Sequence, residues 1–493
     1  MRLGIDTHQE LVVYMRADCH VCRSEGFAAH SRVRVATRDA SIIATLNVVH
    51  GELLEPGEAG LSEAAWHGLG AQPRGIARFS HAPTLDSLGA LRAKIYGHPL
   101  SDGEIRDILR DLSAGRYADV EVAAFLTACA SVGMSLDEVV SMTGAMVDAG
   151  ERLSWPRDVI ADKHCVGGLP GNRTTPIVVA IVAAHGVWIP KTSSRAITSP
   201  AGTADTMEVL APVDLGLPAM RRVVEREGGC IVWGGAVGLS PADDLLIRVE
   251  RALEIDSPGQ LVASVLSKKV AAGSTHVVID IPVGPTAKVR DPLSAVALSH
   301  LLERVGRELG LEVRALLTDG TQPVGRGIGP ALEARDVLAV ARAEPDAPKD
   351  LRARAVALAG EVLELAGHCP AGHGSALATA ALEDGRAWRK LEAICEAQGG
   401  LREPPRAPQR HAVTAASGGT LAEIDNRGLA RVAKLAGAPS AKAAGVALRT
   451  PLGTRVERGE VLFEIHAETI GELEYARAFL DAHPDILRIE SAP

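Results

Sequence analysis

The densest set of chemistry-bearing residues runs from Asp162 through Lys163, His164, Cys165, Gly167, Gly168 and Gly171 to Thr174 and Thr175, and continues as an apolar stretch to Gly186. Lys163 and His164 end a strand-like segment, the glycines make a loop, and the two threonines open a helix. A strand, a glycine turn and a helix start present backbone N–H groups and the positive end of a helix dipole to an anion. The stretch is not a P-loop. Counted from Gly167, that motif requires a glycine and a lysine where the chain has Asn172 and Arg173, and no acidic strand end is paired with it to hold Mg²⁺, which turns the reading away from a kinase or nucleotide hydrolase. A glycine turn that binds nothing has the same pattern, and this window alone leaves both readings open.

A second window, Pro190 to Leu210, sets Thr192, Ser193, Ser194, Thr198, Ser199 and Thr203 around Arg195, then starts a helix near Thr203 with Asp205 and Glu208 in its first turns. Hydroxyls beside an arginine suit a polyhydroxylated, phosphorylated ligand, because the guanidinium forks onto phosphate and hydroxyls fix orientation. A capped helix in a solvated loop gives the same pattern. Together and in this order, the two windows resemble the thymidine phosphorylase family, with its motifs K-H-S-x-G-G and S-[GS]-R-[GA]-x-x-x-x-x-G-T-x-D-x-x-E. The matching residues here are Lys163, His164, Gly167 and Gly168, then Ser193, Ser194, Arg195, Ala196, Gly202, Thr203, Asp205 and Glu208. Within that family the chain most resembles the AMP phosphorylase branch, which carries an extra N-terminal domain and reads KTSSRAITSxAGTADTMEVL at this point.

That resemblance implies phosphorolysis of the N-glycosidic bond of a nucleoside 5′-monophosphate, AMP and phosphate giving adenine and ribose 1,5-bisphosphate. The alternative is a thymidine or pyrimidine-nucleoside phosphorylase releasing a base and a pentose 1-phosphate. Inorganic phosphate is the co-substrate, with no metal or organic cofactor, and the assembly is a homodimer or larger. By the same resemblance Asp256 protonates the leaving base, and His164 is a second candidate near the base for pyrimidine substrates. Gly168, Ser194, Arg195, Ala196, Ile197, Thr198, Ser199, Thr203, Ser264 and Lys288 contact the substrate, while Lys163, Thr175 and Ser193 hold phosphate. Asp256 could instead cap the helix that opens at Pro258, a role that favours the charged carboxylate rather than the acid. Lys288, without the resemblance, reads as a solvated surface charge. One departure stands out: Cys165 replaces the family's serine and is the weaker hydrogen-bond partner. As a nucleophile it has no part in chemistry that needs no covalent intermediate.

These residues need a scaffold. The 493 residues are 46% hydrophobic and 23% charged with a formal net charge of −9, a composition for a globular multidomain protein and, lacking a basic block, not for a nucleic-acid binder. The N-terminal apolar run is too short for a secretory signal, and the longest apolar stretch, Ile177 to Ala184, is far short of a membrane span. A cytoplasmic location is expected, with small molecules and no membrane as partners. The seven cysteines are scattered and odd in number, which argues against a disulfide framework, and the Cys19/Cys22 pair reads as reduced thiols in a turn.

Periodicity predicts an α/β multidomain fold. A small β-rich domain covers 1–85. A helical domain covers 86–155, with 240–272 packing onto it; Ser101 with Glu104 and Ser135 with Glu138 mark capping boxes there. Alternating strands and helices over 156–410 imply a largely parallel sheet that binds phosphate and substrate beyond its strand ends. After the prolines at 404, 405 and 408, residues 411–493 form an α+β domain resembling a lipoyl-type hammerhead.

Overall fold

Alternation of side chains is what closes the first sheet: Val33 and Val35 are wholly buried while Arg34 between them is exposed. The computed structural model describes every residue except His8, Ile197, Thr198, Glu254, Asp256 and 491–493, and omits the side chain of Arg251. The chain forms two compact units, Met1–Gly133 and Met134–Pro493. In the first, β1 (Val12–Arg16), α1 (His20–Glu25), β2 (Arg32–Ala36), β3 (Ser41–Val49), β4 (Ala59–Leu61), α2 (Glu63–Gly68) and β5 (Arg78–His81) make a sheet in the order β4-β1-β3-β2-β5. Only the β1–β3 pair in it is parallel. Cys19 and Cys22 are free thiols at the start of α1 and within it, not in a turn.

Helices α3 (Ser87–Ile95), α4 (Asp102–Ser113) and α5 (Asp119–Ser131) complete this unit. The Ser101 hydroxyl accepts the Glu104 N–H while the Glu104 carboxylate accepts the Ser101 N–H, and Ile105, Ile108, Leu109 and Leu112 of α4 are buried on one face.

The second unit begins with α6 (Leu136–Asp148), started by the Ser135/Glu138 box. Its Val139 shares a core with Val262, Val265 and Leu266. There follow β6 (Ala161–Cys165), α7 (Thr175–Ala184), β7 (Ile189–Ser193), α8 (Thr203–Leu210), α9 (Leu217–Glu227), β8 (Gly229–Trp233), α10 (Pro241–Leu253), α11 (Pro258–Ala271), β9 (His276–Val283), α12 (Pro292–Glu308) and β10 (Glu312–Asp319). All these strands pair in parallel, as β10-β9-β6 and β7-β8, and an Ile160–Trp188 bridge sets β6 beside β7. Their carboxyl ends therefore open on one side, where α/β proteins bind ligands. Helix α7 is apolar all round and buried along its length, as a helix inside a large core must be.

Next come β11 (Gly327–Ile328), α13 (Pro330–Ala341), α14 (Lys349–Leu365), α15 (Gly374–Glu383) and α16 (Arg386–Gln398). The C-terminal region adds β12 (Gln409–Thr414), β13 (Gly419–Ile424), α17 (Asn426–Leu435), β14 (Gly445–Leu448), β15 (Arg455–Val456), β16 (Val461–Ala467), α18 (Ile470–Ala482) and β17 (Leu487–Glu490). It folds as two sheets, β11-β14-β16-β12 and β15-β13-β17, around Leu421, Phe463 and Ile465. Because β11 belongs to that sheet, the residues just before α13 are hydrogen-bonded into the C-terminal region. No helix among the described residues is long and apolar enough to cross a membrane.

Candidate active site

Strand β6 supplies the site from both faces, since its side chains alternate. Lys163 is wholly buried, donates from Nζ to Thr174 Oγ1 at 2.7 Å and lies 4.0 Å from the Asp280 carboxylate. Burial pulls its pKa down, against the opposing pull of Asp280. Thr174 is the N-cap of α7, with Thr175 the first helical residue, so a fixed ammonium and the positive end of a buried helix converge. The loop between them needs glycine at Gly168, whose φ is +81° and where a Cβ would lie 2.5 Å from the Lys288 backbone nitrogen. The same close approach brings Lys288 to the glycine loop.

Cys165 ends the strand as an acceptor: Gly167 N–H and Asn172 Nδ2 both reach its sulfur at 3.4 Å. Burial and the nearby Asp280 push its thiol up to about 12, so it is protonated at neutral pH and unsuited to nucleophilic attack. Asp280 in turn accepts from Asn172 Nδ2 at 2.8 Å and Thr318 Oγ1 at 2.6 Å.

On the other face Asp162 is gripped by Lys191 at 3.1 Å and Lys269 at 2.8 Å, all three buried. Burial alone would raise the Asp162 pKa, but the two lysines hold it below the ordinary value; burial lowers that of Lys269. His164, two residues along, is pushed well below the ordinary imidazole value by burial and by Lys269, Lys191, Lys268 and Lys163. It is neutral at pH 7, able to donate through one nitrogen and accept through the other. On α11, Lys268 reaches Ser264 Oγ at 3.4 Å and pairs with the buried Asp243. Motif reading gave Asp162 no role and missed Lys191, Lys268 and Lys269. Their only signal was charge inside otherwise apolar segments.

The second window divides into a contact end and a scaffold. Ser193 closes β7, next to β6, and its buried hydroxyl has no hydrogen-bond partner among the described residues, so it is available to a water or a ligand. Ser194 is exposed beside it. Arg195, expected to fork onto a phosphate, forks onto Glu208 instead, at 2.7 and 2.8 Å, and lies 4.8 Å over the Trp233 ring. The pair raises the arginine pKa and lowers that of Glu208 to about 2. The pairing has a simple cause: the start of α8 presents Asp205 and Glu208 to the loop it follows.

Asp205 accepts the N–H groups of Ala196 at 2.6 Å and Gly202 at 2.9 Å, and Ser199 Oγ donates to Ala201 O at 2.8 Å. Arg173, which motif reading passed over, ties the windows together: it donates to Thr203 Oγ1 at 2.7 Å, Ala201 O at 2.8 Å and Glu333 at 2.7 Å. Ala196, Ser199 and Thr203 thus have polar groups engaged by Asp205, Ala201 and Arg173. Three expected residues, Ile197, Thr198 and Asp256, lie outside the described residues. The N-cap of α11 is Ser257, with no side-chain capping bond.

The structure therefore brings Lys163, Thr175, His164 and Ser193 to the carboxyl ends of neighbouring parallel strands, with Lys288 at the glycine loop and Ser264 on α11. Comparison with known proteins identifies the domains that carry these residues. Residues 89–150 match the helical bundle domain of a glycosyl transferase family, 157–388 its a/b domain, and 420–486 the pyrimidine nucleoside phosphorylase C-terminal domain. The chain is 62% identical to "Putative thymidine phosphorylase 1" of Acidovorax sp. (strain JS42), over 99% of this chain and 96% of that protein. It is 59% identical to "Putative thymidine phosphorylase" of Hahella chejuensis, over 99% of this chain and 97% of that protein. Among solved structures, anthranilate phosphoribosyltransferase from Thermus thermophilus shares the fold, with a TM-score of 0.53 and 22% identity over 63% of this chain and 99% of that one. With its successive domains matched and near-full-length relatives at this identity, the chain belongs to the thymidine/pyrimidine-nucleoside phosphorylase family of pentosyltransferases.

Proposed function

We propose that this enzyme cleaves the N-glycosidic bond of thymidine or a related pyrimidine nucleoside with inorganic phosphate, giving the free base and a pentose 1-phosphate. One observation carries the reading: a buried lysine, Lys163, sits on the N-cap of α7 while the adjacent parallel strand ends in Ser193, whose buried hydroxyl has no partner among the described residues. An ammonium, a helix start and a spare hydroxyl match an oxyanion with several acceptor oxygens. Phosphate held there attacks the anomeric carbon as the bond to the base breaks, and the positive charge that develops on the sugar is met by the phosphate's own negative charge. Fixing the two reactants supplies much of the acceleration. The neutral His164 imidazole, beside this anion site, donates a hydrogen bond to the base as it gains electrons, and Asp256 remains the candidate proton donor. The names of the near-full-length relatives support the choice of a pyrimidine nucleoside.

A second reading, a nucleoside 5′-monophosphate cleaved to base and ribose 1,5-bisphosphate, draws on Lys288. Its backbone lies against Gly168, which seats a cation at the glycine loop where a 5′-phosphate would need one. Release of free base, followed chromatographically for thymidine, uridine, AMP and CMP with and without phosphate, separates the two. Thymidine or uridine turnover that requires phosphate is the expected result. Turnover of nucleotides alone would favour the second reading, and base release without phosphate would overturn both.

A further inference from the structure

Away from the Lys163 site, a cleft of about 330 Å³ is lined by α13, by residues of the β11-β14-β16-β12 sheet and by the segments that flank them. Leu332, Arg335, Asp336 and Ala339 line it from the helix, a spacing that puts all four on one face. Glu333 points elsewhere, to Arg173 and Thr206. Arg406, Arg410, Arg449 and His466 line the cleft from the C-terminal region, and Arg326 from the turn before β11.

The cleft has more positive charge than it can neutralise. Of its carboxylates, Asp336 is turned to the backbone N–H groups of Arg326 and Gly327, at 2.7 and 2.6 Å, and burial pushes its pKa up to about 6. Asp346 lies 3.9 Å from Arg326 and Glu344 3.9 Å from Arg342, while Arg449 is taken by Glu464 at 2.8 Å. Arg335 donates to the carbonyls of Pro404 and Pro405. No carboxylate pairs with Arg406 or Arg410 among the described residues. Burial and these two neighbours lower the Arg335 pKa, the mark of like charges held together. His466, directly across the strand pair from Arg410, is only 6% exposed, and its Nε2 has no hydrogen-bond partner among the described residues, the nearest carboxylate oxygen being 3.5 Å away.

We propose that this cleft is a second anion site, distinct from the catalytic one, that binds a small phosphate-bearing ligand through Arg335, Arg406, Arg410 and His466. Guanidinium forks match phosphate oxygens in pairs, and the buried His466 Nε2, which makes no hydrogen bond and has Glu464 3.5 Å away, supplies a further contact in a cavity of small-molecule size. Nothing in this assignment depends on which nucleoside the enzyme cleaves.

The test is calorimetric titration of inorganic pyrophosphate, with malonate as a carboxylate control, into the full-length chain, its Lys163→Met variant, and an Arg406→Gln/Arg410→Gln double variant. Both arginines are exposed, so the double variant should melt like the parent and keep its phosphorolysis rate. Pyrophosphate binding that survives Lys163→Met, exceeds malonate binding, and weakens roughly tenfold or more in the double variant is the expected result. Each single arginine variant should lose part of the affinity. Pyrophosphate binding abolished by Lys163→Met, or untouched by the arginine changes, would overturn the site, and equal binding of malonate would overturn its phosphate chemistry.

Discussion

Lys163, Cys165 and His164 are consecutive or nearly so, yet each makes a different prediction because each meets a different environment. Removing the Lys163 ammonium in Lys163→Met takes away a charged partner for phosphate worth about 1.5–3 kcal/mol. Initial rates across phosphate concentrations should show kcat/KM lower by roughly 10²-fold. Cys165→Ser restores a stronger hydrogen-bond partner at a position where the thiol does no covalent work. It should keep kcat and lower KM for phosphate; a large loss of kcat would contradict the protonated-thiol assignment. His164 predicts a pH effect. Unfolded, it binds a proton below about pH 6.5; folded, its pKa is well below the ordinary value, so between these limits the unfolded chain holds more protons and stability falls as pH falls. The melting temperature should drop between pH 7 and 5.5, less steeply in His164→Gln. His185 and His466, also lowered by burial, keep part of the slope. At this scale the sequence singled out residues that stand in local motifs, such as Lys163 and Ser193. Asp162 with Lys269 was not legible, because the partners are 107 residues apart and only the sheet brings them together. The Arg195–Glu208 fork was hidden for a related reason, since the path of the loop decides which group the guanidinium meets.

Between residue and molecule, the elements were largely visible from caps and periodicity. The Ser101 and Ser135 boxes, the apolar run of α7 and the alternation in β2 each state their element. The two-residue β11 is too short to have a period, and its pairing with β14 comes from tertiary contact alone. Two elements predict outcomes. Arg173 fastens the loop before α8 to α13 through a carboxylate, Glu333, that is 1% exposed; Arg173→Ala strands that charge and should cost about 3–5 kcal/mol, read as a lower melting temperature together with a fall in kcat/KM. Gly168→Ala puts a methyl into the Lys288 backbone at a φ of +81°. It should impair substrate binding far more than it disturbs helix content, measured as KM against circular dichroism.

For the molecule as a whole, ligand binding and folding are linked. Phosphate that binds only the folded chain should stabilise it by about 2.7 kcal/mol at a hundred times its dissociation constant. The thermal transition should therefore rise with phosphate, and the part due to the catalytic site should vanish in Lys163→Met. The parallel order of the central strands was beyond the sequence, which marks segments but not neighbours; the alternation of strand and helix indicated only that such a sheet exists. The buried cluster of Asp162, Lys191 and Lys269 draws on three segments of that sheet and its covering helix. A carboxylate without its lysines, or a lysine without its carboxylate, would strand a charge in a dry interior. As related sequences drift apart, then, these three positions are not free to vary singly: they should be retained together or exchanged together for uncharged residues, and their joint history across the family would be a record of which lineages kept the charged floor beneath His164.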